Sequence, residues 1–380
     1  MNVYLDNAAT TPVAPEVTDV MCQFLKESFG NPSSTHSFGR KVKTKIEAAR
    51  RSIAQALNCE PGEIYFTSGG TEADNLAMHI AVRDLQCKRI ITSALEHSAI
   101  IKTAELLANE GKVELVLAKL DAFGTIDLNW LENELAHPTK TYVSLMHGNN
   151  EIANLLPIQT VAEMCQKHNA IFHSDTVQTM GHYAFNLKTL PIHFINAAAH
   201  KFHGPKGVGF IFIRKGLLAQ ADITGGGQER GMRGGTENTA GIMGMAKAVE
   251  LAFSEVEEHK EYIGNLKQYM IQSLKTAIPD IAFNGKSEDI DSLYTVLSCT
   301  FPPTNNSDMF LFLLDLEGIA ASGGSACSSG ATKGSHVLDA IQALKNQQPA
   351  VRFSFSRYTT KAEIDYAVEK AKTIYETGKI

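Results

Sequence analysis

Short apolar runs alternate with longer amphipathic stretches through the first two-thirds of the chain, and that alternation restricts the fold more than any other feature. The runs fall at Ile64–Phe66, Arg89–Thr92, Glu114–Ala118, Thr141–Met146, Ala170–Phe172, Phe194–Ala198 and Val208–Ile213. Between most of them lie stretches at helical spacing, such as Ser98–Asn109, Leu128–Leu135 and Ile158–His168. An earlier segment, Lys41–Leu57, places Ile46, Ala49, Ile53, Ala56 and Leu57 on one face. Strands separated by helices predict an α/β domain with a mostly parallel sheet.

The remainder follows from length and punctuation. Between Ile242 and Ile278 there is no proline and only two glycines, Gly244 and Gly264, which predicts one long helix or two abutting ones, ended by Pro279. Beyond it, β-type runs near Tyr294–Thr300 and Val351–Phe355 and helical patterns at Met309–Glu317 and Ala362–Tyr375 predict a smaller α+β domain. A chain of 380 residues holds about two domains. The expected division is an N-terminal segment, 1–15, docking on the small domain, a large domain over 16–255 and a small one over 256–380.

With 35 basic and 41 acidic residues the formal charge is −6, which argues against nucleic acid or an anionic membrane as a partner. No apolar run approaches the roughly 18 residues of a membrane span, and the N-terminus lacks the pattern of a secretory signal, so a cytoplasmic protein is expected. The six cysteines are scattered without C-x-x-C pairing; reduced thiols are expected, with neither a zinc site nor a disulfide framework.

In an open α/β sheet, ligands sit beyond the carboxyl ends of the strands. Polar residues capable of chemistry follow five of the expected strands: TSGGTEADN at 67–75, Glu96-His97, Asn149-Asn150, Asp175 with Gln178, and His200-Lys201. The first of these offers bare backbone N–H groups and a positive helix end to a phosphate, though a plain strand-to-helix turn reads the same way. Lys201, at the end of a buried strand, has the setting of a Schiff-base lysine, although an isolated lysine there more often snorkels to solvent. Asp175, at the end of the preceding strand, is placed to hold a protonated pyridine nitrogen. A phosphate cup, a lysine and a carboxylate are the three parts that pyridoxal phosphate needs.

Two glycine-rich stretches stand apart. GGGQERGMRGGT at 225–236 carries Arg230 and Arg233 and reads as a close-packed anion or interface loop rather than a floppy one. ASGGSACSSG at 321–330 surrounds Cys327 with glycine and serine, a setting for an exposed loop cysteine that acts as a nucleophile. The other five cysteines lie in more apolar or helical contexts and read as structural.

YLDNAATTP at 4–12, FGNPSSTHSFG at 29–39, TSGGTEADN, Glu96-His97, HGNNE at 147–151, HSDTVQ at 173–178, AHKFHGPKG at 199–207, GGGQERGMRGGT and SGGSAC at 322–327 together resemble the group I cysteine desulfurases of the NifS/IscS type, within the class V aminotransferases. The matches run in order to Arg352 and TTKAEID at 359–365. The resemblance implies a fold-type I homodimer that uses pyridoxal 5'-phosphate to convert L-cysteine to L-alanine, leaving a persulfide on the enzyme for a sulfur-acceptor protein such as an iron–sulfur scaffold. It implies Lys201 as the cofactor lysine that also moves the α-proton, His97 stacked on the ring, Asp175 on the ring nitrogen and Gln178 on the ring hydroxyl. Gly70, Thr71 and His200 would hold the phosphate, with Thr236 lent by the partner subunit. Asn150 and Arg352 would take the substrate carboxylate, and Cys327 the sulfur. An aminotransferase or selenocysteine lyase of the same fold, or a non-catalytic scaffold, are the competing readings.

This chain departs from the family pattern at Ala198-Ala199, where one phosphate hydroxyl is missing, and at Gly330–Gly334 after the cysteine. It also has Ser356 before Arg357, where glycine is usual, and Gly234 in place of a frequent serine.

Overall fold

The computed structural model describes residues 1–323, 335–343 and 348–378. Cys327 and the 330–334 departure lie outside the described residues.

Among the described residues the large sheet has seven strands, in the order Ile64–Thr67, Gly209–Ile213, Phe194–Ala198, Ile171–Ser174, Thr141–Ser144, Arg89–Thr92 and Glu114–Leu117. Gly209–Ile213 runs against both its neighbours, and the other pairings are parallel. The inner strands are buried along their length, because helices cover both faces, and their unbroken apolar runs reflect that burial. One face packs against Ser37–Ala56 and Thr239–Ser254, the other against Gly70–His79 and Ser98–Asn109.

The chain leaves this layer through two helices, Thr239–Ser254 and Val256–Ala277, separated by Glu255, whose φ of −130° breaks the helical path. A second sheet, Ala350–Ser354, Val296–Thr300 and Ala282–Phe283, is antiparallel and buries a core of its own with Val256–Ala277 and Lys361–Thr377.

The segment 1–15, expected against the small domain, touches both layers. Val3 and Leu5 join the small core, and Val3–Tyr4 pairs in parallel with Ile319–Ala320. Ala14 belongs to the large core, while Thr11 and Ala14 donate backbone N–H bonds to the carbonyls of His200 and His203. The strap therefore crosses the carboxyl edge of the large sheet, where the polar segments cluster.

Candidate active site

The carboxyl ends of five large-sheet strands converge on a cavity of about 360 Å³. Gly70, Thr71, His97, Asn150, Asp175, Gln178, His200, Lys201 and Arg352 all line it. Thr236 does not: it borders a separate cavity with Ser68, Gly207 and Arg233.

Lys201 ends the tight turn Ala199–Lys201 that closes strand Phe194–Ala198. Its Nζ donates to the carbonyls of Ala8 at 2.5 Å and Ala9 at 2.9 Å, so the strap holds the amine at the cavity wall. Gln178 Nε2 donates to the same Ala8 carbonyl at 3.0 Å. His200 Nδ1 lies 3.1 Å from Thr10 Oγ1, and burial pushes its ring down to about 4, so it is neutral at pH 7.

Gly70 begins helix Gly70–His79, and a Cβ there would sit 2.7 Å from Val177 Cγ2. Glycine lets the helix start pack against the Asp175–Gln178 loop, so that Gly70 and Thr71, in a first turn whose amides have no intrahelical acceptor, line the cavity. His97 caps helix Ser98–Asn109: its Nδ1 accepts from Ala99 N at 3.2 Å, which leaves the proton of a neutral ring on Nε2.

Asp175 Oδ1 accepts from Val177 N at 2.9 Å, fixing the carboxylate against the loop that carries it. Three further buried carboxyls, Asp74, Glu96 and Glu151, line the same cavity. Burial, with the nearby charges of Asp175 and Glu96, holds Asp74 well above the usual carboxylate range, and Asn196 Nδ2 donates to it at 2.5 Å. Burial likewise pushes Glu96 up to about 8, against the N–H bonds it accepts from Met146. Both residues sit in segments singled out from the sequence, but their depth is not legible there, because nothing in a run of letters says which face of a cap is sealed.

The opposite wall comes from distant parts of the chain. Arg352, on strand Ala350–Ser354, is 2% exposed and donates to Asn150 O at 3.0 Å and to Asp6 Oδ1 at 2.8 Å. Glu151, buried, accepts from Ser335 Oγ, and His336 Nε2 lies 3.0 Å from the Glu96 carbonyl. Asp6, Glu151 and His336 were not anticipated as neighbours of the site.

Elsewhere the sequence reading needs two adjustments. Segment 225–236 is mostly exposed rather than close-packed, with only Glu229, Met232 and Gly234 buried, and its arginines are taken up inside the subunit: Arg230 bonds the Gly62 and Ile64 carbonyls, and Arg233 pairs with Glu72 at 3.1 Å. The buried Glu229 in that segment pairs with Arg50 at 2.7 Å. Of the cysteines read as structural, Cys87, Cys165 and Cys299 are buried and Cys59 is half-buried, whereas Cys22 is exposed on helix Pro15–Glu27, whose buried residues are Val17 and Phe24.

Residues 3–367 match the family model described as aminotransferase class-V. The chain is 41% identical over 377 residues to a cysteine desulfurase IscS of Dictyoglomus turgidum, covering 98% of this chain and 94% of that one. A cysteine desulfurase IscS of Methanosarcina thermophila is 39% identical over 378 residues, with 98% and 92% covered. A solved NifS-like protein superposes with a TM-score of 0.90 at 35% identity, covering 99% of this chain and 100% of that chain. The layered, mostly parallel sheet is that of a fold-type I enzyme of the pyridoxal-phosphate class. The chain belongs to the class-V aminotransferase family.

Enzymes of this family use pyridoxal 5'-phosphate, and the donor set fits that group. The cavity brings together an amine at Lys201, a carboxylate at Asp175, a helix start at Gly70 and Thr71 and a flat ring at His97. No helix among the described residues is long and apolar enough to cross a membrane, and no cluster of three or more His, Cys, Asp or Glu among them is placed to hold a metal ion.

Proposed function

We propose that this protein is a pyridoxal-phosphate-dependent cysteine desulfurase, with Lys201, Asp175, His97 and Arg352 as its working side chains and Cys327 as the sulfur acceptor. The observation that carries the reading is the convergence of the Lys201 amine and the Asp175 carboxylate on one cavity whose far wall holds a buried guanidinium. When bound, the cofactor supplies an electron sink that lets the α-carbon of an amino acid give up its proton.

The side chains divide the work. Lys201 Nζ holds the cofactor and takes the proton from the substrate α-carbon. Asp175 pairs with the ring nitrogen and keeps it protonated, as a buried carboxylate anchored by a backbone N–H can. His97 covers the ring, Gln178 bonds the ring hydroxyl, and Gly70, Thr71 and neutral His200 receive the phosphate. Arg352 and Asn150 hold the substrate carboxylate. The Cys327 thiol takes the substrate sulfur: the carbon–sulfur bond of cysteine breaks, a sulfur–sulfur bond forms on the enzyme, and protonation of the carbon skeleton gives alanine. Cysteine and enzyme thiol thus become alanine and enzyme persulfide with no outside oxidant.

Thr236, on the rim of a neighbouring cavity, fits a role in a second subunit's site, so the working unit proposed is a cytoplasmic homodimer that hands sulfur to an acceptor protein such as an iron–sulfur scaffold. Light scattering that shows a fully active monomer at micromolar concentration contradicts the dimer.

Cys327→Ser tests the function. The variant is expected to bind cofactor and cysteine with normal colour changes yet release neither alanine nor sulfide at more than about a hundredth of the normal rate. In the unaltered protein, brief exposure to cysteine without reductant adds one sulfur to the Cys327 peptide first. Normal desulfuration by the serine variant, or transamination of keto acids in its place, overturns the reading.

A further inference from the structure

Arg352 is gripped from two sides. Its Nη1 donates to the Asn150 carbonyl at 3.0 Å and its Nη2 to Asp6 Oδ1 at 2.8 Å, while Nε is buried with no partner. A guanidinium carries five N–H bonds. Two are taken and the one on Nε is sealed from solvent, which leaves one on each terminal nitrogen. That remaining pair matches the two oxygens of a carboxylate.

Asp6 is itself fixed in place. The Oδ1 that receives Arg352 also accepts from Ser322 Oγ at 2.8 Å. Ser322 is tied to Arg352 by reciprocal backbone bonds of 3.2 Å and 2.6 Å, and Asp6 is bridged to Ser354, two residues beyond Arg352 on the same strand. Three separate stretches of chain thereby lock one carboxylate against one guanidinium. A long side chain held at both terminal nitrogens presents its free N–H pair in one plane, at little ordering cost when a ligand arrives.

We propose that Asp6 is the positioning residue for Arg352, setting the guanidinium plane so that the protein selects amines bearing an α-carboxylate. The inference rests on the reading of Arg352 as the substrate-carboxylate residue. Asp6 acts through Arg352 and touches no reacting atom; its effect is therefore confined to ligands that carry a carboxylate.

The test compares L-alanine with ethylamine, the same skeleton without the carboxylate, titrated into holoenzyme and followed by cofactor absorbance. Asp6→Ala is expected to weaken L-alanine about tenfold and ethylamine less than twofold, the loss of roughly one good charge-assisted bond. The KM for L-cysteine should rise by a similar factor while kcat falls less than threefold. Asp6→Asn keeps the acceptor oxygen for Arg352 and Ser322 and should stay within threefold of the unaltered protein. Asp6→Glu keeps the charge but shifts it by a methylene, and should weaken L-alanine alone by several-fold.

Equal weakening of both ligands by Asp6→Ala, or no effect in either Asp6→Ala or Asp6→Glu, overturns the inference. Arg352→Ala separates the two levels. If it discriminates between the ligands and the Asp6 variants do not, only the role of Asp6 falls. If Arg352→Ala itself leaves L-alanine binding intact, the assignment of Arg352 falls and the Asp6 proposal with it.

Discussion

The two walls of the cavity are built in different ways. On the large-sheet wall each residue sits within a few positions of a strand end: His97 follows Arg89–Thr92, Asp175 follows Ile171–Ser174 and Lys201 follows Phe194–Ala198. On the other wall, Arg352 meets Asp6 across 346 positions of sequence and Asn150 across 202, and Ser335 meets Glu151 across 184. The first wall is set by sheet topology and short loops, the second only by closure of the small sheet and the strap over the large one. Lesions on the first wall should therefore strike cofactor and chemistry, and lesions on the second should strike the grip on substrate.

The sharpest way to break that comparison is Lys201→Ala. Activity is expected to fall by about three decades or more, because no second amine at this edge is proposed to do its work. Borohydride reduction followed by peptide mass spectrometry should find the cofactor on the Lys201 peptide of the unaltered protein and on no peptide of the variant. Attachment at another lysine sinks the assignment. Next in size is Asp175→Asn, expected to keep the fold and lose about two decades in kcat, since an amide cannot hold a ring nitrogen protonated. Activity within threefold of the unaltered protein contradicts the role.

The same contrast explains what the sequence discloses. Helices Ser98–Asn109 and Leu128–Leu135 and strands Arg89–Thr92 and Phe194–Ala198 coincide with the expected segments, because each is a strongly patterned run bounded by turn residues. The residues of the first wall are legible for the same reason, as polar segments placed one after another behind strands. Strand Ile319–Ala320 is two residues long and has no pattern of its own; it exists because Val3–Tyr4 pairs with it. Asp6 is one acidic letter in YLDNAATTP, and only the folded chain shows that Arg352 and Ser322 share its Oδ1. Asp74 and Glu96 show a third limit. Their identity is plain, but their protonation follows from burial, which depends on what packs over the strand ends.

Glu96 offers the smallest effect and a test of that last point, since it is a first-wall residue whose backbone carbonyl touches the second wall through His336. Burial raises its carboxyl from the ordinary 4.5 to about 8. Between these values the unfolded chain has released the proton and the folded chain still holds it, so the unfolded state binds fewer protons and stability falls as pH rises. The contribution is complete below pH 4.5 and gone above pH 8. Buried histidines act in the opposite sense: burial lowers His147, His182, His193, His200 and His203 to about 4 and His173 to about 3. Their unfolded forms take up protons first as pH drops below 6.5, so they make stability rise with pH over roughly 4 to 6.5. In a comparison of Glu96→Gln with the unaltered protein the histidines cancel. The variant lacks the titration, so its unfolding temperature relative to the unaltered protein should climb by about a few degrees between pH 5 and pH 8, whatever constant offset the lost hydrogen bond adds. A difference that stays flat across that window means Glu96 is already ionised at pH 5, and the buried carboxyl beside Asp175 is then a charge rather than a neutral acid.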